Sequence, residues 1–253
     1  MIHQREITYE YLSLALDVGE RILKSGGEVS RVEDTITRIC KAYGMERVDV
    51  FTITGMIVAT VKGESFGTIT QTRRILEQSY DLHRLERLNQ LSREICKSRP
   101  AIDQIQKALA CIDQQKGYRL ISQMMIYALV AGSFTALFGG AASDVMASAL
   151  IGVILRLAEE PMRHMKVGRI FTVFFLMLLA GLLSELAVIS GAAQHADLIT
   201  TGDIMPFIPG LALTNAIRDM FQGDTVTGLT RLSEAILMSI IVVLGALIGA
   251  MLH

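Results

Sequence analysis

Leu120-Ile121-Ser122-Gln123-Met124-Met125-Ile126-Tyr127-Ala128-Leu129-Val130-Ala131-Gly132-Ser133-Phe134-Thr135-Ala136-Leu137-Phe138 contains no Asp, Glu, Lys or Arg. A bilayer core takes about 20 mostly apolar residues in helical form, so this run reads as a membrane span. Working outward from it divides the chain of 253 residues. Residues 1–116 hold 17 Lys/Arg and 16 Asp/Glu, whereas residues 117–253 hold 7 and 9. The first part reads as an α+β cytoplasmic domain and the second, 117–253, as an all-α membrane domain. A net charge of -1 argues against a nucleic-acid surface, which needs clustered basic residues against phosphate. Mean hydropathy is +0.43.

Four more segments read as spans, giving five transmembrane helices in all: 145–157 extended back to 141, 170–190, 198–217 and 235–252. The third holds one charge, Glu185, and the fourth is polar, with Asp203, Pro206, Pro209 and Asn215. Its crossing is inferred from charge. Lys116 and Arg119 precede the first span; Arg156, Arg163, Lys166 and Arg169 follow the second; Arg218 and Arg231 precede the last. The intervening connections, 139–143 and 191–197, carry no Lys or Arg. The positive-inside rule then places the N-terminus in the cytoplasm and His253 outside, in a multi-pass protein of the cell membrane. Gly245 and Gly249 form a GxxxG that serves close helix packing, either within the chain or in a homo-oligomer.

No signal peptide is visible between Met1 and Glu10. Cys40, Cys96 and Cys111 show no CxxC spacing, so no metal site or disulfide framework is expected. Residues 8–24 carry an amphipathic pattern that Gly26-Gly27 ends, and Ser30 and Glu33 have capping-box spacing at the start of a second helix. Alternation at 48–53, 57–61 and 66–72 predicts a small antiparallel sheet. Helices over 81–97 and 101–115 follow. Gly27, Glu28, Arg31 and Glu33 concentrate at one helix start; they read either as a solvated turn and cap or as a contact surface for the membrane part or a partner.

The chemistry gathers in the fourth membrane segment. Pro206 and Pro209 cannot continue an undistorted helix, and non-helical backbone in lipid must face protein or a wet cavity. From Phe207 to Phe221 the chain reads as a half-helix whose free N–H groups could face an anionic substrate. Pro206, Pro209, Gly210, Thr214 and Asn215 are thus candidates for a substrate path. Asp203 and Glu185 are candidates for proton coupling, because a carboxyl held out of water binds a proton more readily. The alternatives stand beside these: a kink, an N-cap, or an acid reaching the outer water. Arg218 with Asp219, Asp224, and Arg231 with Glu234 read as a gate or as structural ion pairs.

The segments Gly26-Gly27-Glu28-Val29-Ser30-Arg31-Val32-Glu33 and Met205-Pro206-Phe207-Ile208-Pro209-Gly210-Leu211-Ala212-Leu213-Thr214-Asn215-Ala216-Ile217-Arg218-Asp219-Met220 resemble the threonine/serine exporter family. Gly223-Asp224, Gly228, Arg231 and Glu234-Ala235 continue the second likeness. The resemblance implies a secondary exporter of small hydrophilic metabolites, driven by the proton-motive force, without a cofactor and without enzymatic activity. Full-length members carry a second, smaller membrane domain. A chain stopping at His253 is similar to the larger component of split pairs of the YjjP/YjjB type, linked to succinate export. That implies a small polytopic membrane subunit as partner, with the lipid bilayer and a small-molecule substrate. Two other readings remain: a membrane enzyme, for which no nucleophile–base set, Walker loop or HExxH appears, and a membrane-anchored ligand-binding scaffold or sensor.

Overall fold

The computed structural model describes residues 2–76, 79–115, 117–165 and 167–252. Lys116, Lys166 and His253, used above for charge topology and chain end, lie outside the described residues, as does Met1. Contacts divide the chain into two compact units, Met1–Lys116 with Leu211–Ser233, and Gly117–Gly210 with Glu234–His253.

In the first unit, α1 (Ile2–Lys24) and α2 (Val29–Ala42) pack together and onto a three-stranded sheet. Leu12, Ala15, Leu16, Ile22 and Leu23 of α1 are fully buried, as are Val32, Ile36 and Ile39 of α2, which is the spacing one helical face requires. Strands β1 (Arg47–Ile53), β2 (Met56–Gly63) and β3 (Gly67–Arg74) form an antiparallel meander in which Thr52 faces Ile57 and Val61 faces Ile69. Ile57, Ala59 and Val61 alternate into the core, while Phe51 and Met56 are exposed on the other face. Asp81 caps α3 (Leu82–Ser98) by accepting from the Arg84 N–H at 2.9 Å, and α4 (Ile102–Asp113) follows. Asp113 joins three helices: Arg21 of α1 donates to it at 2.9 Å and Arg84 of α3 pairs with it. Burial alone would raise this carboxyl, but the hydrogen bonds and charges of the two arginines outweigh it and hold it below the usual value.

The capping box expected at Ser30 and Glu33 does not form. The N-cap is Glu28, and it has no side-chain cap bond. Glu33 instead accepts from the Thr52 N–H of β1 at 2.7 Å, and Ser30 donates to Gln222. Both side chains are taken by partners distant in sequence.

The remaining helices are α5 (Leu120–Leu137), α6 (Ala142–His164), α7 (Arg169–Ile189), α8 (Ala196–Ile204), α9 (Gly210–Phe221) and α10 (Thr225–Ala250), with a 3-10 turn at Met205–Phe207. The expectation of five transmembrane helices is corrected here. Among the described residues only three helices, α5, α7 and α10, are long and apolar enough to cross a membrane. Helix α6 has the length, 23 residues, but carries Asp144, Arg156, Glu159, Glu160 and Arg163. The fourth segment is cut at the 3-10 turn into pieces of 9 and 12 residues, each shorter than a span needs. On α5, Ile121, Met125 and Leu129 are all more than two-thirds exposed, an outward apolar face suited to lipid.

Helices α7 and α10 approach so closely that a Cβ on Gly245 would stand 2.7 Å from the Phe174 carbonyl oxygen, and one on Gly249 would collide with the Leu178 carbonyl. The GxxxG therefore packs within the chain. Gly249→Leu is expected to force these helices apart and to lower the amount of folded protein recovered in detergent severalfold. A size-exclusion profile would check this, with Leu247→Ala on the exposed face of α10 as the unaffected control.

Candidate functional site

Residues 26–33 and the part of the second segment from Leu211 on meet within the first unit. Helix α1 ends at Lys24, and Gly26 follows in the left-handed region at φ +88°, which only glycine adopts without strain. Gly27 donates to the Ile22 carbonyl at 2.9 Å, and a Cβ on it would lie 2.6 Å from the Ile22 side chain. This tight turn leaves two carbonyls facing α9 and α10. Asn215 donates its amide to the Gly26 oxygen at 3.0 Å. Arg231 donates to the Gly27 oxygen at 3.0 Å and to Asp219 at 2.7 Å.

Asp219 is fully buried and Arg231 is 2% exposed, so this is an ion pair removed from water. Burial drives the Asp219 carboxyl above its usual value, while the Arg231 charge and the Val29 N–H oppose that shift. Arg218 pairs with Glu28 at the rim. The pairs are thus Arg218–Glu28 and Arg231–Asp219, not Arg218 with its neighbour Asp219 or Arg231 with Glu234, which is exposed. Asp224 donates its backbone N–H to the Asp219 carbonyl at 2.9 Å, and its charge, after burial, adds to raising Glu33. Arg31 lies on the exposed side of α2.

The second unit holds a different polar set. Asp203, near the end of α8, is fully buried. Ser148 of α6 donates to its Oδ1 at 2.9 Å, and its Oδ2 has no partner among the described residues. Gly202 beside it packs against α5, where a Cβ would stand 2.7 Å from the Ala131 oxygen. The helix then breaks. Pro206 lies in the 3-10 turn, Ile208 is extended because it precedes Pro209, and α9 begins at Gly210. Phe207 meets Tyr127 of α5 edge-on, at 5.7 Å between ring centres.

Thr214 and Asn215 lie beyond the break with the first unit, where the Asn215 amide is held by Gly26. Glu185 is half-buried near the end of α7 and makes no ion pair among the described residues.

Sequence reasoning missed several of these groups. Asp144 is fully buried and accepts from the N–H groups of Ala141, Gln194 and His195 and contacts His195 Nδ1 at 2.9 Å, tying the start of α6 to the α7–α8 connection. Arg156, 4% exposed, donates to Gln123 at 2.6 Å and Glu160 at 2.7 Å. A charge inside an apolar helix is a signal by itself, and both could have been found that way. Ser148 and Gln222 gave none.

Three helices long and apolar enough to cross a membrane, among the described residues, fit a multi-pass membrane protein. The family model ThrE, described as "Putative threonine/serine exporter", matches residues 13–253, and the chain belongs to that family. It is similar to the "Probable succinate transporter subunit YjjP" of Klebsiella aerogenes, 24% identical over 97% of this chain and 93% of that protein. It is 24% identical to the protein of the same name in Escherichia coli, over 97% and 94%. It is 26% identical to the "Probable threonine/serine exporter" of Mycobacterium tuberculosis, over 98% of this chain but 46% of that protein. No solved structure matches. The chain is accordingly a membrane transporter of small metabolites and not an enzyme.

Proposed function

We propose that the chain is the larger subunit of an inner-membrane exporter of small hydrophilic metabolites, either threonine and serine or a dicarboxylate such as succinate. Export is driven by the proton-motive force and requires a separate small membrane subunit. The observation that carries this reading is Asp203: fully buried, with one oxygen unpartnered among the described residues, two positions before the turn at Met205. An intramembrane acid of this kind suits a carrier of the coupling proton. Pro206, Pro209 and Gly210 line the solute path beside it, where broken backbone can offer polar groups. The names of the Klebsiella and Escherichia relatives, both transporter subunits, support a partnered assembly. In this reading the N-terminal unit is cytoplasmic and the C-terminus external, with Arg119 at the inner edge of α5.

Efflux of labelled threonine, serine and succinate from cells carrying this chain, with and without a small membrane partner, tests the reading. Efflux of one solute that needs both proteins and collapses with a protonophore is expected. Efflux indifferent to the protonophore would remove proton coupling.

A further inference from the structure

Between α2 and α3 of the first unit lies a cleft of about 430 Å³. Its walls are strongly unbalanced in charge. Arg31 and Arg38 enter from α2, Arg93 and Lys97 from α3, and the one carboxylate among the lining residues is Asp34. That carboxylate is already engaged, since Arg38 Nε donates to both its oxygens at 2.8 and 2.7 Å. Arg31, Arg93 and Lys97 form no ion pair among the described residues. Arg93 and Lys97 stand four residues apart on α3, a spacing that brings both side chains to one face. A concave surface that gathers three cations without ion-pair partners among the described residues suits an anion.

The neutral lining narrows the class. Asn89, Ser92 and Thr35 contribute amide and hydroxyl groups beside the cations. Among the described residues no aromatic or large aliphatic side chain lines the cleft, so they offer no platform for a nucleobase or an acyl chain. Guanidinium forks match carboxylate and phosphate equally well. We propose that this cleft binds a compact soluble anion carrying at least two negative charges, a phosphate ester or a polycarboxylate, at a site separate from the path at Asp203. Helix α2 begins at Val29, next to the Gly27 and Glu28 that Arg231 and Arg218 hold, so an occupant contacts the helix on which that pairing depends.

Cys96 lines the cleft and reports on it, because Cys40 is fully buried and Cys111 can be replaced by serine. The full chain carrying Cys111→Ser, in neutral detergent at fixed ionic strength, is titrated with pyrophosphate, citrate or ATP while Cys96 alkylation by a maleimide is followed. Pyrophosphate, citrate or both are expected to slow alkylation saturably, and ATP to do so no better than its phosphates allow. The stronger of the two decides between a phosphate and a carboxylate ligand. The Arg31→Gln/Arg93→Gln variant, measured against its own unliganded rate, is expected to weaken that protection about tenfold or more. Absence of protection at about 10 mM of either anion, equal protection in the variant, or protection only in nanodiscs containing anionic phospholipid would overturn the proposal.

Discussion

Arg231→Met is expected to destabilise the first unit by about 3–5 kcal/mol, because it leaves the fully buried Asp219 without its countercharge. The same substitution leaves the Gly27 carbonyl without the bond from Arg231. For a chain of this size the fall in unfolding midpoint is on the order of ten degrees. Asp219→Leu alone should cost a similar amount, since it strands the guanidinium instead. The double variant Asp219→Leu/Arg231→Met should recover much of the loss, because two apolar side chains of suitable volume can replace a buried pair at little net cost. Thermal unfolding of the four proteins in detergent measures the coupling directly. Additive losses in the double variant would show that the residues do not act as a pair. Glu28→Gln, which removes only the rim partner of the half-exposed Arg218, should change the midpoint by far less.

Asp203→Asn is expected to abolish proton-coupled efflux while leaving the protein inserted and folded. The amide is nearly isosteric and can still accept from the Ser148 hydroxyl 2.9 Å away, so the packing between α6 and α8 is retained. What it loses is the ability to exchange a proton. An unpaired carboxylate in an apolar interior is costly and its protonated form is not, so the site alternates only if a proton can come and go. Ser148→Ala keeps the acid and removes one bond, so its efflux should fall only a few fold. Efflux by Asp203→Asn equal to that of the unaltered protein, at equal membrane level, would exclude Asp203 from coupling.

Local periodicity carried the sequence reading a long way. The apolar face of α1, the alternation of β2, the runs of α5, α7 and α10, and the interruption at Pro206 and Pro209 all follow from patterns contained within a few turns of chain. The failures share one cause. Arg231 was matched with Glu234, three residues on, because helix spacing makes that pair plausible. Its partner is Asp219 on the preceding helix, brought alongside by the turn at Gly223, and its other acceptor is Gly27, 204 residues away. Glu33 was assigned to a local cap and is taken by a strand. Residues 145–157 read as a span because Arg156 is the one charge among them, whereas the helix runs on through Glu159 and Glu160, with which Arg156 pairs. Partner choice over long separations leaves no periodic trace in a single chain.

Residues Leu211–Ser233 complete a unit that otherwise ends at Lys116. During synthesis the ribosome must therefore translate on past Lys116 as far as Ser233 before the carbonyls of Gly26 and Gly27 receive Asn215 and Arg231. At about 5–20 residues per second this delay is on the order of ten seconds, during which α5 and α7 can already be entering the membrane. The amino-terminal portion emerges first but closes only once residue 233 has been made, and a nascent chain stalled before Arg231 leaves the Gly26 and Gly27 carbonyls without their partners.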